Sequence, residues 1–442
     1  MTLPRALTPL RHRSLRLLVA GQAASNVGDA CYAVALPWYV LGAHGGIALL
    51  GTVLVAYGVP RTGLIVAGGW ASDRWGSRTV MLASDMARAV AVGALAATAG
   101  LGPARASVLI PIAVVLGAGE GVFLPASYSV IPSFVRDEDF QAANALVTGG
   151  TQLAALGGPA LGGALVTLAS PSLAFALDAA SFAVSAATLA RLRAAPLATA
   201  PATVPAAEAG GATPAAEDAT STFALLRSQR VLQVTLLLAI ALNVGSGGVI
   251  EVALPALARG PLHAGAGGYG LILAAVGAGT MLGALIAGQT RPPWRPGVTA
   301  LLAFQAGGAC ILAAPFIGST LGVAATMAGD AMMVGFGNVF VLAAFQRWVP
   351  PALLGRATGV LMLGAFGVSP VAVALGAIFT REFGPASFFL FAAATLTGAI
   401  IYGLSQKSWR EFGVAQAAAG SAGPGTGEIR QGQSGQTEGG QA

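Results

Sequence analysis

Apolar runs of about 20 residues, each long enough to cross a bilayer core as a helix, recur along the chain and are broken by short segments holding most of its charge. They fall near Ser14 to Leu41, Ile47 to Trp70, Thr79 to Leu101, Arg105 to Ser127, Ala142 to Leu168 and Ser172 to Leu192. After a polar gap they resume at Val231 to Leu257, Gly268 to Gln289, Val298 to Ile317, Thr320 to Phe345, Arg356 to Thr380 and Ala386 to Leu404. The pattern predicts an all-α integral membrane protein with twelve transmembrane helices, their edges placed to about 2 to 4 residues.

Composition agrees, with 55% hydrophobic and 9% charged residues, where soluble domains carry roughly a quarter charged. The formal charge of +6 does not point to nucleic acid, because the arginines are not gathered into one patch. Of 23 Lys and Arg, only Arg105, Arg259 and Arg381 fall at outer loops and only Arg61 and Arg88 within spans, when both termini are placed in the cytoplasm. That is the positive-inside bias. The basic N-terminus is followed by an apolar run too long for a signal peptide and lacking a cleavage site, so it reads as a retained first helix. Cys31 and Cys310 both lie in spans and predict neither a disulfide framework nor a metal site. A single lysine, Lys407, beside abundant Ala, Gly and Arg fits a bacterial, GC-rich source and hence the bacterial inner membrane.

Residues 193–230 separate two sets of six spans, 1–192 and 231–405. Within that gap, Ala194 to Thr220 is rich in Ala, Pro and Thr and reads as a flexible cytoplasmic linker. The tail, 406–442, turns to Gly, Gln and Ser and reads as disordered. The two sets repeat weakly at one offset. Ala35-Leu36-Pro37 recurs as Ala253-Leu254-Pro255, Gly117-Ala118-Gly119 as Gly335-Phe336-Gly337, and Ile131-Pro132 as Val349-Pro350, each 218 residues later.

Between the second and third spans stands Gly69-Trp70-Ala71-Ser72-Asp73-Arg74-Trp75-Gly76-Ser77-Arg78, a charged turn. It resembles the Gly-x-x-x-Asp-Arg-x-Gly-Arg-Arg loop of the major facilitator superfamily at Gly69, Asp73, Arg74, Gly76 and Arg78, with Ser77 where an arginine is usual. In the fifth span, Gly158, Pro159, Gly162 and Gly163 look like the Gly-Pro-x-x-Gly-Gly element of that superfamily's proton-coupled exporters. Gly158 and Gly162 also have the small-xxx-small spacing that lets helices approach closely. Asn26-Val27-Gly28-Asp29, Ala35-Leu36-Pro37-Trp38 and Leu177-Asp178-Ala179-Ala180-Ser181-Phe182 are similar to the branch containing macrolide-efflux proteins and the enterobactin exporter. The resemblance covers nearly all of residues 10 to 405 and implies two six-helix halves with a substrate site near the midplane between them. It also implies that Asp73 faces the start of helix 11 near Arg356, where exposed N–H groups favour an anion. One departure is Ala113, which stands where many proton antiporters carry an arginine.

Charges inside spans are costly and therefore paired, neutralised or facing water. At 1.5 Å per residue, Asp85 lies about 9 Å from the inner end of its helix, Glu120 about 10 Å, and Arg61 and Arg88 about 13 Å. These four share one slab and can neutralise one another, as a structural network or as part of a gate that includes Asp73. Asp29, about 22 Å from the inner end of helix 1, and Asp330, about 15 Å from the outer end of helix 10, have no Lys or Arg at their depth. Each must be neutral or wetted by a cavity, and the resemblance puts helices 1 and 10 on the central cavity. Gln22, Asn26 and Asp29 form a polar stripe at helical spacing. Asp29 is the first candidate for proton coupling or substrate contact and Asp330 the second, with Asn243 and Ser246 as further polar contacts. Asp178 is expected to serve helix packing and Glu251 to reach the membrane interface.

The sequence thus predicts a proton-coupled secondary transporter exporting a small amphipathic molecule, such as a drug-like compound, antibiotic or siderophore, by alternating access. Its expected partners are that substrate, protons and the lipid bilayer; it is expected to act as a monomer without cofactor or metal. Moving one charge through the membrane field supplies about 2.3 kcal/mol per 100 mV. An importer of the same fold is the first alternative. A membrane enzyme or sensor is the second, but His12, His44 and His263 are scattered near membrane ends and no phosphate-binding loop of the Gly-x-x-x-x-Gly-Lys type occurs.

Overall fold

A computed structural model describes residues 13–42, 46–131, 137–192, 229–291, 293–349 and 367–412, and every regular element among them is helical. The first six helices are α1 (Arg13–Leu41), α2 (Gly46–Trp75), α3 (Ser77–Leu101), α4 (Ala106–Val130), α5 (Asp137–Leu168) and α6 (Pro171–Arg191). Then come α7 (Arg230–Arg259), α8 (Gly265–Gln289), α9 (Pro296–Ala313), α10 (Thr320–Trp348), α11 (Ser369–Phe383), α12 (Pro385–Ser405) and a short α13 (Lys407–Arg410). Ten of these are long and apolar enough to cross a membrane. The polar stripe of α1 and the 15 described residues of α11 keep those two below that mark. Apolar side chains point outward as well as inward: Val90 is 70% exposed, Leu153 67% and Ile401 64%. In water such a surface would aggregate; in a bilayer lipid covers it.

Helix ends follow local chemistry. Ser170 and Ser319 accept the backbone N–H of Leu173 and Gly322 and so cap α6 and α10, with Pro171 in the first turn of α6. The charged turn after the second span is shorter than the sequence predicts. α2 runs on through Trp75, and a single residue, Gly76 at φ 81°, separates it from α3. An L side chain is strained at that φ, so glycine is what permits the break. α7 is not uniform either: between Val244 and Leu254 its backbone winds as a nine-residue π helix, Gly245–Ala253.

Within the first set, α1 packs on α5 and α6, α3 on α4 and α6, and α2 on α4. Within the second, α10 packs on α8 and α9, α9 on α12, and α11 on the π segment of α7. The sets meet through α5 against α8 and α2 against α11. Their joint packing lies toward the end of the molecule where α1 finishes at Leu41. There Val34 packs among Val249, Tyr269 and Phe388, while Val252, Val373 and Ala377 sit against Ile47, Leu54 and Val55. Toward the opposite end, where α2 finishes at Trp75, the described clusters do not mix. Leu15, Leu18, Met81 and Val130 pack within the first set, and Leu232, Phe345, Trp409 and Phe412 within the second. The start of the expected tail is ordered, not disordered: α13 seats Trp409 and Phe412 in the interior. The tail beyond residue 412, the expected linker up to residue 228, Pro132, Pro350, Arg356, His12 and His44 lie outside the described residues.

Candidate functional site

The polar stripe of α1 runs from a buried Gln22 through a half-buried Asn26 to an exposed Asp29. Asn26 donates from Nδ2 to Thr151 Oγ1 of α5 at 3.1 Å. Asp29 is exposed. No hydrogen bond or ion pair to its carboxylate forms among the described residues. Arg61, Asp85, Arg88, Glu120 and Asp178 all lie within electrostatic reach of it.

The four slab charges resolve into two pairs. Arg61 Nε stands 3.0 Å from Glu120 Oε1, joining α2 to α4, with both side chains about a quarter exposed. The Tyr57 hydroxyl donates to the other Glu120 oxygen. Glycine makes this approach possible. A Cβ at Gly117 would run into the Tyr57 carbonyl, and one at Gly121 into the Arg61 carbonyl. The second pair, Arg88 Nη2 to Asp85 Oδ1 at 2.6 Å, is buried within α3. The Arg88 guanidinium is also held between the rings of Phe123 and Phe182, at 4.5 Å and 4.4 Å. Stacking and burial fix this cation, whereas the Arg61 side chain stays partly exposed.

Asp178 is 1% exposed on α6 and packs on α1 where Gly28 leaves room. Its nearest donor is the Ser181 hydroxyl, which is bound more closely to the Asp178 carbonyl, at 2.7 Å, than to its carboxylate, at 3.4 Å. Asp330 stands apart from this group. It points at α9, where a Cβ on Gly307 would lie 2.8 Å from its Oδ1, and that buried oxygen has no hydrogen-bond partner. Asn243 donates to the Ala239 carbonyl of its own helix at 2.8 Å. Of the Ser246 side chain nothing is described.

In the turn, Gly69 has nothing within 4 Å of a Cβ position, whereas its neighbour Gly68 packs on Val122 at 2.7 Å and Pro125 at 2.9 Å. Asp73 is exposed. Arg74 sits 5.8 Å from the Trp70 ring, itself edge-on to Trp75. Arg78 donates to the carbonyls of Leu189 and Ala190, both at 2.8 Å, and ties the start of α3 to the end of α6. In α5, Gly158 and Gly162 face Ala30 and Cys31 of α1, while Gly163 and the Pro159 carbonyl meet Gly270 of α8. The element therefore mates α5 with a helix of each set. No three potential metal ligands cluster among the described residues.

Sequence reasoning missed two members of the site. Tyr57 is one tyrosine in an apolar run, and nothing local marks it as a partner of Glu120. Glu251 belongs to the π segment and lies within electrostatic reach of Arg61 and Glu120. It faces inward between the helix sets rather than reaching the membrane interface.

A family model described as transmembrane secretion effector matches residues 5–379. No curated protein sequence matches the chain. Among solved structures, the nucleoside transporter NupG superposes with a TM-score of 0.67 at 14% identity, over 88% of this chain and 98% of that one. A POT family transporter in complex with a thioalcohol-conjugated peptide gives 0.66 at 13%, over 89% and 95%. A bacterial metal transporter gives 0.59 at 16%, over 88% and 97%. These likenesses show the fold, and the match over most of the sequence shows the family: the chain belongs to the transmembrane secretion effectors, membrane transporters of the major facilitator type.

Proposed function

We propose that this protein is a proton-coupled secondary transporter that exports a small amphipathic molecule, such as a drug-like compound, antibiotic or siderophore, across a bacterial inner membrane. The observation that carries the reading is Asp29, an accessible carboxylate midway along α1 with no bonded partner among the described residues. Such a group binds a proton from a wet cavity and releases it without breaking a structural ion pair. The fifth-helix element resembling that of exporters supports the direction.

The reading takes α1–α6 and α7–α12 as two six-helix halves that rock about a midplane site, with both termini cytoplasmic. On that orientation the joined Leu41 end faces outward and the parted Trp75 end faces the cytoplasm. The exposed Asp73 then belongs to a cytoplasmic gate that closes against the start of the eleventh helix around Arg356 when the halves rock the other way. Protonation of Asp29 neutralises it, and the membrane field acts on the charge restored at release.

Everted membrane vesicles offered a panel of radiolabelled macrolides and fluorescent amphipathic dyes from outside test this directly. Accumulation on imposing an acid interior is the expected result. Accumulation only on imposing the opposite gradient would mean import, and none under either gradient would remove proton coupling.

A further inference from the structure

Between the ends of α1, α3 and α4 lies a cavity of about 160 Å³, none of whose lining residues belongs to the site described above. Leu95 and Leu109, 1% and 2% exposed, form its floor, Tyr39 and Thr98 stand in its wall, and Arg105 and an 88% exposed Leu101 lie at its rim. The Tyr39 hydroxyl donates to the Gly102 carbonyl at 3.0 Å, and its ring stands edge-on to Phe175 at 5.9 Å, so this wall is held in place. Both α3 and α4 have 25 residues, or about 37 Å at 1.5 Å per residue, against a hydrocarbon core of roughly 30 Å. Their ends, and the cavity between them, therefore stand at the depth of lipid headgroups.

The three cations at this end of the molecule are not equivalent. Arg259 donates to the Trp38 carbonyl at 2.9 Å and lies 4.9 Å from the centre of the Trp38 ring, and Arg381 pairs with Glu382 at 3.3 Å. The exposed Arg105 side chain has neither hydrogen bond nor ion pair among the described residues. Glu382, the acid in the described loops of this end, is already engaged by Arg381, so nothing there neutralises Arg105. A guanidinium offers a planar fork of donors that fits a phosphate. Set beside an apolar floor and an outward leucine, it matches one end of an amphipathic anion. The volume agrees: about 160 Å³ is below the roughly 300 to 1,000 Å³ of pockets that enclose a whole drug-sized ligand. The remainder of the molecule must lie outside, along the lipid-facing surface.

We propose that this cavity binds an anionic phospholipid, with its phosphodiester on Arg105, its glycerol and ester region against Tyr39 and Thr98, and its acyl chains leaving over Leu101. The site is independent of the transport reading and of the orientation of the chain, since lipid headgroups border both ends.

Native mass spectrometry of the full chain, released from micelles after titration with phosphatidylglycerol or phosphatidylcholine, tests it. The natural protein is expected to hold one phosphatidylglycerol more tightly than any phosphatidylcholine. Arg105→Gln should weaken that lipid by about fivefold or more and remove the preference, and Arg105→Lys should retain part of it. Arg381→Gln, at a cation that already has a partner, should leave it unchanged. Thr98→Phe fills the cavity with Arg105 in place and should weaken the same lipid; the exposed Arg105 variants keep the test valid if Thr98→Phe folds poorly. Undiminished phosphatidylglycerol binding in Arg105→Gln, or equal losses in Arg105→Gln and Arg381→Gln, overturns the site. Full binding in a folded Thr98→Phe would remove the cavity from it, and displacement by soluble glycerol phosphate at matched concentration would contradict a lipid occupant.

Discussion

The two sets of six helices bury polarity very differently. In α1–α6 the interior holds Gln22, Ser25, Ser72, Ser84, Asp85, Arg88, Asp178, Ser181, Ser185 and Thr188, whereas in α7–α12 the described interior holds only Thr235 and Thr380. Burying polar groups costs free energy unless each finds a partner, and several here have atoms without one, including Gln22 Nε2, Asp85 Oδ2 and Arg88 Nε. A helix bundle needs none of this to pack, as the second set demonstrates with Ala, Leu and Phe. The difference concentrates the buried charge and polarity of the described residues in the first set. The inward-facing acids of the second set, Asp330 and Glu251, are the exceptions.

The contrast is most easily broken at Arg88. Arg88→Ala leaves Asp85 buried and unpaired and is expected to cost about 3 to 5 kcal/mol, read as a large loss of thermal stability in detergent. The double variant with Asp85→Ala should recover part of it, and equal losses in single and double variants would mean that the pair contributes only packing. A smaller effect is expected at the α2–α4 contact. Gly121→Val forces a branched side chain onto the Arg61 carbonyl and should cost about 1 to 3 kcal/mol, while moving Arg61 off Glu120 and slowing transport. Normal transport with lowered stability would detach that pair from function. The smallest effect belongs to the second set, where Asp330→Asn keeps the shape of the contact with Gly307 and is expected to change gradient-driven transport by less than about twofold. A loss approaching that of an Asp29 variant would move coupling chemistry into α10 and erase the asymmetry.

The spans were legible because crossing a bilayer demands long apolar runs, and, apart from the start of the eleventh, which lies outside the described residues, their predicted edges fall within about five residues of the helices that form. Asp29 stood out because an acid is conspicuous in such a background, but the expectation that no cation lies near it is not met, since Arg61 and Arg88 are within electrostatic reach. What the pattern hid was geometry that depends on neighbours. Gly68 and Gly69 are equivalent in a sequence, and only the approach of Val122 and Pro125 tells them apart. The π winding of Gly245–Ala253 preserves an unbroken apolar run, so hydropathy passes over it and misplaces Glu251 at the interface. The four charges were expected to neutralise one another, but their division into an accessible pair and a stacked, buried pair depends on Phe123 and Phe182, which look like ordinary core residues.

The central claim is that Asp29 carries the exchanging proton. Proteoliposomes containing either the natural protein or Asp29→Asn, loaded with a dye or macrolide that the vesicle panel identifies as substrate, separate coupling from translocation. The account predicts that Asp29→Asn retains substrate exchange at equilibrium but loses accumulation driven by a pH gradient, by about tenfold or more. Gradient-driven accumulation equal to that of the natural protein across the pH range would contradict it.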